Sequence, residues 1–318
     1  MDNRLCSICI SLLNEEENIG PLYEAFGRIA KDHPDMDWEY VLVDDGSTDG
    51  TWNALATLHE RDPRVKAVRL SRNFGAHEGT AAAIFYATGE ALVLMGADLQ
   101  DPPEVVSQFV TKWKEGYDIV WGVRTERHDH PVKTFLANCY YRLIGWASEV
   151  DIPRNTGSFC LLSRKVADVY NAATEHNRVT FELIGWLGFH QTLVPFERAP
   201  RLRGRSKFST SKLFKVAFDS LFATSKLPIR TITVTGLSFT FLSLIWVAYT
   251  IMAWLIHDTK VPGWPSLMVA ILLVGGLILM SLGITGEYLW RILDETRGRP
   301  LFVTRHILGE VRTRERLR

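Results

Sequence analysis

Two stretches without charged residues, 231–256 and 261–286, constrain this 318-residue chain more than any other feature. Each exceeds the ~20 residues that a helix needs to cross a lipid bilayer, and buried helices of soluble proteins rarely contain such long apolar runs. The connecting residues 257–260 include one Lys, whereas residues 198–230 and 291–318 contain nine and eight Lys or Arg. Basic residues concentrate on the cytoplasmic side of a membrane, so we expect two transmembrane helices with both flanks in the cytoplasm.

The segment before the first stretch has an amphipathic pattern. Between residues 207 and 226, Phe and Leu recur at helical spacing among four lysines, which predicts a helix lying in the membrane interface; an amphipathic core helix is the alternative. The Arg-rich end of the chain predicts a tail on the lipid surface or against a neighbouring subunit. The expected organisation is a cytosolic domain over 1–205, an interfacial helix over 206–228, a two-helix transmembrane region over 229–291 and a basic tail over 292–318.

Charge is distributed unevenly along the chain. Basic and acidic residues number 36 each overall, a balance that argues against a nucleic-acid-binding protein. Residues 1–190 contain 18 basic and 28 acidic side chains, whereas residues 191–318 contain 18 and 8. This asymmetry predicts a soluble N-terminal domain next to an anionic membrane surface, with membrane lipids as partners.

The four cysteines lie in apolar surroundings, and the first residues lack the hydrophobic core of a targeting signal. We therefore expect reduced, buried thiols. Cys6 and Cys9 have the spacing of a zinc or redox pair, but they lie within a strand-like run and no second pair completes a zinc site.

The first 190 residues alternate between β-rich runs and helical patterns. The runs 5–13, 39–43, 65–70, 91–95 and 119–121 are separated by helical stretches over 18–33, 51–61, 77–88 and 103–115. This alternation is typical of βαβ units and predicts an α/β domain with a mainly parallel sheet. Ligands of such sheets bind beyond the carboxyl ends of the strands.

Polar clusters follow the first four predicted strands, at 14–16, 44–47, 71–75 and 98–101. Any one of them could be a turn or a helix cap, but four in succession predict a binding site. The sequence lacks Gly-x-Gly-x-x-Gly and Walker loops, so a dehydrogenase or a P-loop nucleotidase is unsupported. The oxygen ligands Asp98 and Gln100 suit Mg²⁺ or Mn²⁺, which would bridge diphosphate oxygens.

These clusters resemble the motifs of family 2 glycosyltransferases with the Rossmann-like GT-A fold, in the branch that uses polyprenyl phosphates. The resemblance lies in residues 12–18 (Leu-Leu-Asn-Glu-Glu-Glu-Asn), 43–50 (Val-Asp-Asp-Gly-Ser-Thr-Asp-Gly), 73–75 (Asn-Phe-Gly) and 97–104 (Ala-Asp-Leu-Gln-Asp-Pro-Pro-Glu). It continues through 157–164 and 201–208, and the two apolar stretches match the bacterial bactoprenol-phosphate glucosyltransferase type. The resemblance thus covers nearly the whole chain.

The resemblance implies roles for individual residues. Those matching nucleotide-binding positions are Ser11, Leu13, Glu15, Asp44, Asp45, Arg72, Asn73, Ala97 and Asp98. Asp98 and Gln100 match ligands of the metal and diphosphate. Arg124 and Lys133 match basic residues that take the lipid phosphate, and Arg201 and Lys207 match a pair that closes over the donor; with Asp98 they form the expected catalytic set.

Two departures from the family pattern concern metal binding and proton transfer. Gly96 occupies the first Asp position of an Asp-x-Asp motif, and Asn155 and Ser158 stand where many relatives have carboxylates. A lipid phosphate is already anionic near neutral pH, so it needs no general base to become a nucleophile. It must instead approach a second anion, and this requires metal and Arg or Lys charge.

The resemblance predicts transfer of a hexose, glucose from UDP-glucose, from a nucleotide-sugar donor to polyprenyl (undecaprenyl) phosphate with inversion at the anomeric carbon. The predicted location is the inner (plasma) membrane, with a multi-pass topology and both termini cytoplasmic. Small residues in the second stretch permit a homo-oligomer through the transmembrane region. The alternatives are a non-catalytic nucleotide-binding membrane scaffold, or a processive polysaccharide synthase, whose Gln-x-x-Arg-Trp motif the sequence lacks.

Overall fold

The computed structural model describes residues 4–125, 156–175, 178–197 and 263–311, together with scattered helical positions between 232 and 252. The chain divides into two compact units. The first comprises Met1–Arg142, Val150–Ser209 and Arg299–Arg318, and the second comprises Leu143–Glu149 and Thr210–Gly298.

The first unit alternates strands and helices as the sequence pattern predicts. Its elements in chain order are β1 (Arg4–Leu12), α1 (Glu16–Asp32), β2 (Met36–Asp44), α2 (Thr51–Arg61), β3 (Val65–Leu70), α3 (Ala76–Tyr86), β4 (Ala91–Leu94), α4 (Glu104–Lys114), β5 (Ile119–Arg124), β6 (Thr156–Ser163), α5 (Arg164–Ala172), α6 (Thr180–Trp186), β7 (Gln191–Phe196) and β8 (Thr304–Leu308). The expected α/β class is confirmed.

The eight strands form one sheet in the order β7-β5-β6-β4-β1-β2-β3-β8. The central strands β4, β1, β2 and β3 are mutually parallel. β6 runs antiparallel to both β4 and β5, and β8 runs antiparallel to β3. A parallel centre with antiparallel additions puts the carboxyl ends of β1 to β4 at one edge of the sheet.

Apolar side chains cover both faces of the sheet. Along β1, Ile8, Ile10 and Leu12 pack into one layer with the stacked rings of Phe26 and Tyr40, whereas Cys9 packs into the other layer. Because successive residues of a strand point to opposite faces, a strand covered on both sides is apolar throughout. This explains why apolar residues occur at consecutive positions in both strands, as in Tyr40–Val43 of β2.

Cys6, Cys9 and Cys160 are buried and free, as the composition predicts. Burial raises the pKa of the Cys9 thiol well above its usual value, and the nearby Glu39 charge raises it further. Such thiols stay protonated and unreactive near neutral pH.

The C-terminal segment departs from the predicted organisation. We expected residues 292–318 to form a basic tail, but Thr304–Leu308 is strand β8, paired with β3 at the edge of the sheet. The high arginine content of the segment indicated a tail and gave no signal of a strand. An edge strand tolerates charged, exposed side chains, so Arg305 and His306 do not prevent pairing.

The second unit contains the helix α7 (Trp264–Thr296), which has 33 residues. Its part Leu273–Thr296 is, among the described residues, the one helix segment long and apolar enough to cross a membrane. The predicted second stretch therefore lies largely in a helix, which continues beyond residue 286, where Glu287 and Arg291 form an ion pair one turn apart. Half of the positions in the first stretch are described, and these are helical, whereas the predicted interfacial helix lies wholly outside the described residues.

Candidate active site

The loops that follow β1 and β2 are joined by reciprocal hydrogen bonds. The backbone N–H of Asn14 donates to Ser47 Oγ at 2.9 Å, and Asn14 Oδ1 accepts the N–H of Thr48 at 2.8 Å. Asn14 has a φ of 51°, in the left-handed region that Asn tolerates better than most residues. Next to it, the N–H of Glu15 donates to Thr51 Oγ1 at 3.0 Å. The predicted nucleotide residue Glu15 is therefore held against the start of α2.

Asp44 holds the turn at the end of β2. Its carboxylate is fully buried, accepts the Ser47 N–H at 2.8 Å and forms an ion pair with Arg69, whose Nε lies 3.2 Å from Oδ2. The Arg69 guanidinium also donates through Nη2 to the Ser47 carbonyl oxygen at 3.4 Å. Asp44 therefore shapes residues 44–50, here called the donor loop.

Asp45 joins the donor loop to the loop after β3. Its two carboxylate oxygens accept the N–H groups of Phe74 and Gly75 at 2.8 and 3.0 Å. Burial raises the pKa of Asp45 to about 6, and the charges of Glu78 and Asp44 raise it too, although the two N–H donors act in the opposite direction. The carboxylate thus fixes the entry to α3 in its ionised form.

Two glycines allow the backbones of this edge to approach closely. Gly46 has a φ of +71°, and a Cβ there would lie 2.4 Å from the carbonyl carbon of Arg72. A Cβ at Gly79 of α3 would lie 2.1 Å from Ser11 Oγ. The structure therefore brings Ser11 against α3, and it brings Arg72 and Asn73 against the donor loop.

The side chains of Arg72 and Asn73 are exposed beside this contact. The Arg72 guanidinium lies 4.0 Å from the centre of the Phe74 ring, within the range of a cation–π interaction. Both side chains are thus available at the edge where the loops meet. Leu13 is half-buried in the loop after β1.

The loop after β4 is organised by its own acidic residues. Asp98 Oδ1 accepts the Gln100 N–H at 3.3 Å, and Asp101 Oδ2 accepts the Gly96 N–H at 3.0 Å. A Cβ at Gly96 would lie 3.2 Å from both of these carboxylate oxygens, so the two carboxylates turn toward Gly96. Leu99 has a φ of 54°, a conformation that costs a leucine about 1–3 kcal/mol.

The residues of this loop fit a hard divalent cation that binds together with phosphates. Among residues 4–125, 156–175, 178–197 and 263–311, no group of three His, Cys, Asp or Glu side chains could enclose a metal. Magnesium usually takes one or two carboxylates and completes its octahedron with phosphate oxygens and water. Asp98, Gln100 and Asp101 offer oxygen ligands of this kind, with Ala97 buried beside them. We describe this segment, residues 96–101, as the β4 loop.

Arg124 lies at the same edge of the sheet. Arg124 is the last residue of β5. Both β5 and β4 run antiparallel to β6, so β5 and β4 run in the same direction. One strand separates β5 from β4, which corresponds to about 10 Å between the two. Ser158 is exposed near the start of β6 and thus lies toward this edge as well. The predicted residues Lys133, Arg201 and Lys207, and also Asn155, lie outside the described residues.

Sequence analysis missed two residues that shape the site. Arg69 is a charged residue inside the apolar run of β3, a position where a charge usually has a partner. Asp101 belongs to the polar cluster after β4, yet only Asp98 and Gln100 were assigned roles. A search for charged residues within buried runs would have found Arg69.

Residues 7–170 match the family described as "Glycosyl transferase family 2". The matched range includes every strand-end loop described above. The chain belongs to glycosyl transferase family 2. Similar full-length proteins include an uncharacterized glycosyltransferase of Synechocystis sp., 40% identical over 95% of both chains, and the bactoprenol glucosyl transferase of Shigella phage SfV, 33% identical over 94% of this chain and 98% of that one.

Solved structures similar to this family 2 member have lower sequence identity. A mannosyltransferase from Pyrobaculum calidifontis, determined with GDP-Man and Mn²⁺, is 15% identical, covers 88% of this chain and 87% of its own, and has a TM-score of 0.43. A mannosyl-3-phosphoglycerate synthase from Rubrobacter xylanophilus is 14% identical, and the match covers 69% of this chain and 71% of that one, with a TM-score of 0.46.

Proposed function

We propose that this family 2 protein transfers a hexose, glucose from UDP-glucose, to polyprenyl phosphate at the cytoplasmic face of a membrane. The similarity to bactoprenol glucosyl transferases over nearly the full length of both chains carries this proposal. The strand-end loops supply a site for the donor, and a long apolar helix in the second unit suits a lipid acceptor.

The donor nucleotide would bind across the loops after β1, β2 and β3. Ser11, Leu13 and Glu15 would contact the base and ribose together with the donor loop, and the exposed Arg72 and Asn73 would lie beside them. Asp44 and Asp45 would act mainly by fixing the loops, because their carboxylate oxygens already accept backbone N–H groups. A preformed loop lowers the entropy lost on binding.

The diphosphate would bind next to the β4 loop. Asp98 and Gln100 would hold Mg²⁺ or Mn²⁺, and such an ion, when bound, neutralises charge that develops on a departing nucleoside diphosphate. Asp101 would fix the start of the β4 loop by accepting the Gly96 N–H. Arg201 and Lys207 would close over the same phosphates.

The acceptor phosphate would approach from the side of β5. One of its anionic oxygens would attack the anomeric carbon, a new C–O bond would form there, and the bond to the donor diphosphate would break with its electron pair leaving on UDP. Attack from the opposite face inverts the anomeric carbon. Arg124 and Lys133 would hold the acceptor phosphate and offset its repulsion with the donor diphosphate. Because the acceptor phosphate is already anionic, the reaction would require no general base at Asn155 or Ser158.

The chain would sit in the inner membrane as a multi-pass protein, with the stretches 231–256 and 261–286 as spans and the catalytic domain in the cytoplasm. Contacts in the transmembrane region would support a homo-oligomer.

The direct test incubates the purified full chain with labelled UDP-glucose, Mg²⁺ and undecaprenyl phosphate, and then measures label in the organic extract. We expect labelled lipid that mild acid releases as free sugar. A parallel panel of UDP, GDP and dTDP sugars tests the choice of donor. UDP binding by calorimetry without transfer from any donor would instead support a nucleotide-binding scaffold.

A further inference from the structure

The C-terminal strand β8 begins at the edge of the sheet that carries the donor loop, because its first residue, Thr304, pairs with the last residue of β3, Leu70. In its antiparallel pairing with β3, His306 lies opposite Arg69, and the Ser71 N–H donates to the Val303 carbonyl at 2.8 Å. The hydroxyls of Thr304 and Tyr86 share a second hydrogen bond at 2.8 Å. β8 is therefore fixed to the strand that carries Arg69.

Arg69 contacts the donor loop at two points. Its Nε pairs with the buried Asp44 carboxylate, and its Nη2 donates to the Ser47 carbonyl oxygen. A guanidinium is a planar fork that can hold two acceptors at once, whereas the ammonium of lysine is a single mobile point charge. Arg69 thus fixes both the start of the donor loop and its first turn.

An aromatic pair connects Arg69 to β8. The Trp52 ring centre lies 5.5 Å from the Arg69 guanidinium carbon and 6.0 Å from the His306 ring centre, with the two rings 29° from parallel. Trp52 is the second residue of α2 and follows the donor loop directly. Three flat groups therefore form a continuous stack from the C-terminal strand to the loop.

We infer that β8 is a positioning element for the donor nucleotide, and that His306 and Trp52 act through Arg69 on the donor loop. This inference rests on the proposed function, because it assigns the donor loop to a nucleotide. Gly46 and Gly50 make the loop backbone intrinsically adaptable, so contacts from outside the loop are needed to hold one conformation. None of the three residues touches the reacting atoms.

The test compares His306→Ala, Trp52→Leu and Arg69→Lys with wild type in the full chain. UDP affinity is measured by calorimetry, and steady-state kinetics separate the KM for UDP-glucose from the KM for undecaprenyl phosphate. We expect UDP affinity to fall about tenfold for Arg69→Lys, the size of a lost charge-assisted hydrogen bond, and a few-fold for the other two. The acceptor KM and the melting temperature should stay near wild type.

Two matched variants serve as controls. Arg305→Ala removes an exposed cation from the same strand and should bind UDP as wild type does. Trp52→Phe keeps an aromatic face for Arg69 and His306, so it should bind UDP more tightly than Trp52→Leu. If Arg69→Lys fails to fold, the difference between Trp52→Leu and Trp52→Phe still tests the stack.

The outcomes separate the two hypotheses. A wild-type chain that binds no UDP overturns the proposed function together with this inference. A wild type that binds UDP, with unchanged affinity in His306→Ala, Trp52→Leu and Arg69→Lys, overturns the inference alone. Equal rises in the KM for UDP-glucose and the KM for undecaprenyl phosphate, together with a lower melting temperature, would show general structural damage. This result would also contradict the inference.

Discussion

The loops after β1, β2 and β3 are held differently from the loop after β4. The first three brace one another through Asn14 with Ser47, Asp45 with Phe74 and Gly75, and Arg69 with Asp44. In the β4 loop, the hydrogen bonds from Gly96 and Gln100 go to Asp101 and Asp98 of the same loop. This difference supports the proposed division of roles, in which the first three loops bind the nucleotide and the β4 loop binds a metal and phosphates.

Strain also separates the two regions. Asn14 and Leu99 both have a positive φ. Asn is a residue type that tolerates this conformation, and hydrogen bonds between Asn14 and the donor loop offset its conformational cost. Leu99 is strained between Asp98 and Gln100. Strained backbone concentrates where a loop must present groups to a ligand, so we expect the β4 loop to be the part of this edge most directly involved in the reaction.

The largest expected effect is that of Asp98→Ala on turnover. Removal of the carboxylate should lower kcat at least about a hundredfold, because the charge of the departing diphosphate would lose its metal-bound partner. The measurement is initial-rate transfer at saturating donor and Mg²⁺. Arg305→Ala serves as the control for a charge change away from the site, and near-normal turnover of Asp98→Ala would refute the metal assignment.

The next effect in size concerns the close approach at Gly46. Gly46→Ala adds a Cβ that meets the Arg72 backbone at 2.4 Å and also strains a φ of +71°, so we expect UDP affinity to be lost and stability to fall by about 1–3 kcal/mol. Gly116→Ala is the matched control, since its φ is +100° but no atom lies within 4 Å. Similar losses of UDP binding in both variants would mean that the contact with Arg72 is unimportant.

A moderate effect should come from the raised pKa of Asp45. The folded chain keeps this carboxyl protonated up to about pH 6, above its unfolded value. Its contribution to stability is therefore full below about pH 4 and is lost as the pH rises through 6. Binding should follow the opposite trend, because a protonated oxygen accepts the Phe74 and Gly75 N–H groups less well.

We expect UDP-glucose affinity to fall a few-fold between pH 7.5 and pH 5, with an inflection near 6. UDP-glucose suits this calorimetric titration because its diphosphate has no free terminal group that titrates in this range. Asp45→Asn should bind weakly with no such inflection. An unchanged inflection in that variant would assign the pH dependence to another group.

The smallest expected effect is that of Gly96→Ala. A Cβ there would lie 3.2 Å from oxygens of Asp98 and Asp101, so the two carboxylates must shift by a few tenths of an ångström. The Mg²⁺ concentration for half-maximal activity should rise a few-fold, whereas Gly27→Ala on α1, with open space around it, should leave it unchanged. A metal requirement equal to that of wild type would mean that the β4 loop adapts freely.

The sequence predicted the parts of this fold that depend on local pattern. The apolar runs of β1 to β4 and the helices between them were recognisable because both faces of the sheet are covered. The polar clusters after these runs could be assigned to one edge because parallel strands end together. The stretch 261–286, predicted from its length and lack of charge, lies largely in the apolar helix α7, and the two membrane spans stay a prediction.

The remaining features depend on contacts between distant residues. Arg69 meets Asp44 across neighbouring strands, and the glycine at 46 is required by the backbone of Arg72; neither pair has a signature in local spacing. β8 was missed because a five-residue edge strand with Arg and His resembles a charged tail. Asp44 and Asp45 are predicted to contact the nucleotide, and the structure adds that their oxygens accept backbone N–H groups, a role that residue type alone does not reveal.

The division between the two regions is tested most directly by calorimetric titration of uridine and of UDP-glucose, each with and without Mg²⁺, in wild type and Asp98→Ala. Uridine contains the base and ribose alone, so its affinity should be independent of Mg²⁺ in both proteins. UDP-glucose should bind more tightly with Mg²⁺ to wild type and lose that gain in Asp98→Ala. A Mg²⁺-dependent uridine affinity, or a full Mg²⁺ effect on UDP-glucose in Asp98→Ala, would contradict the account.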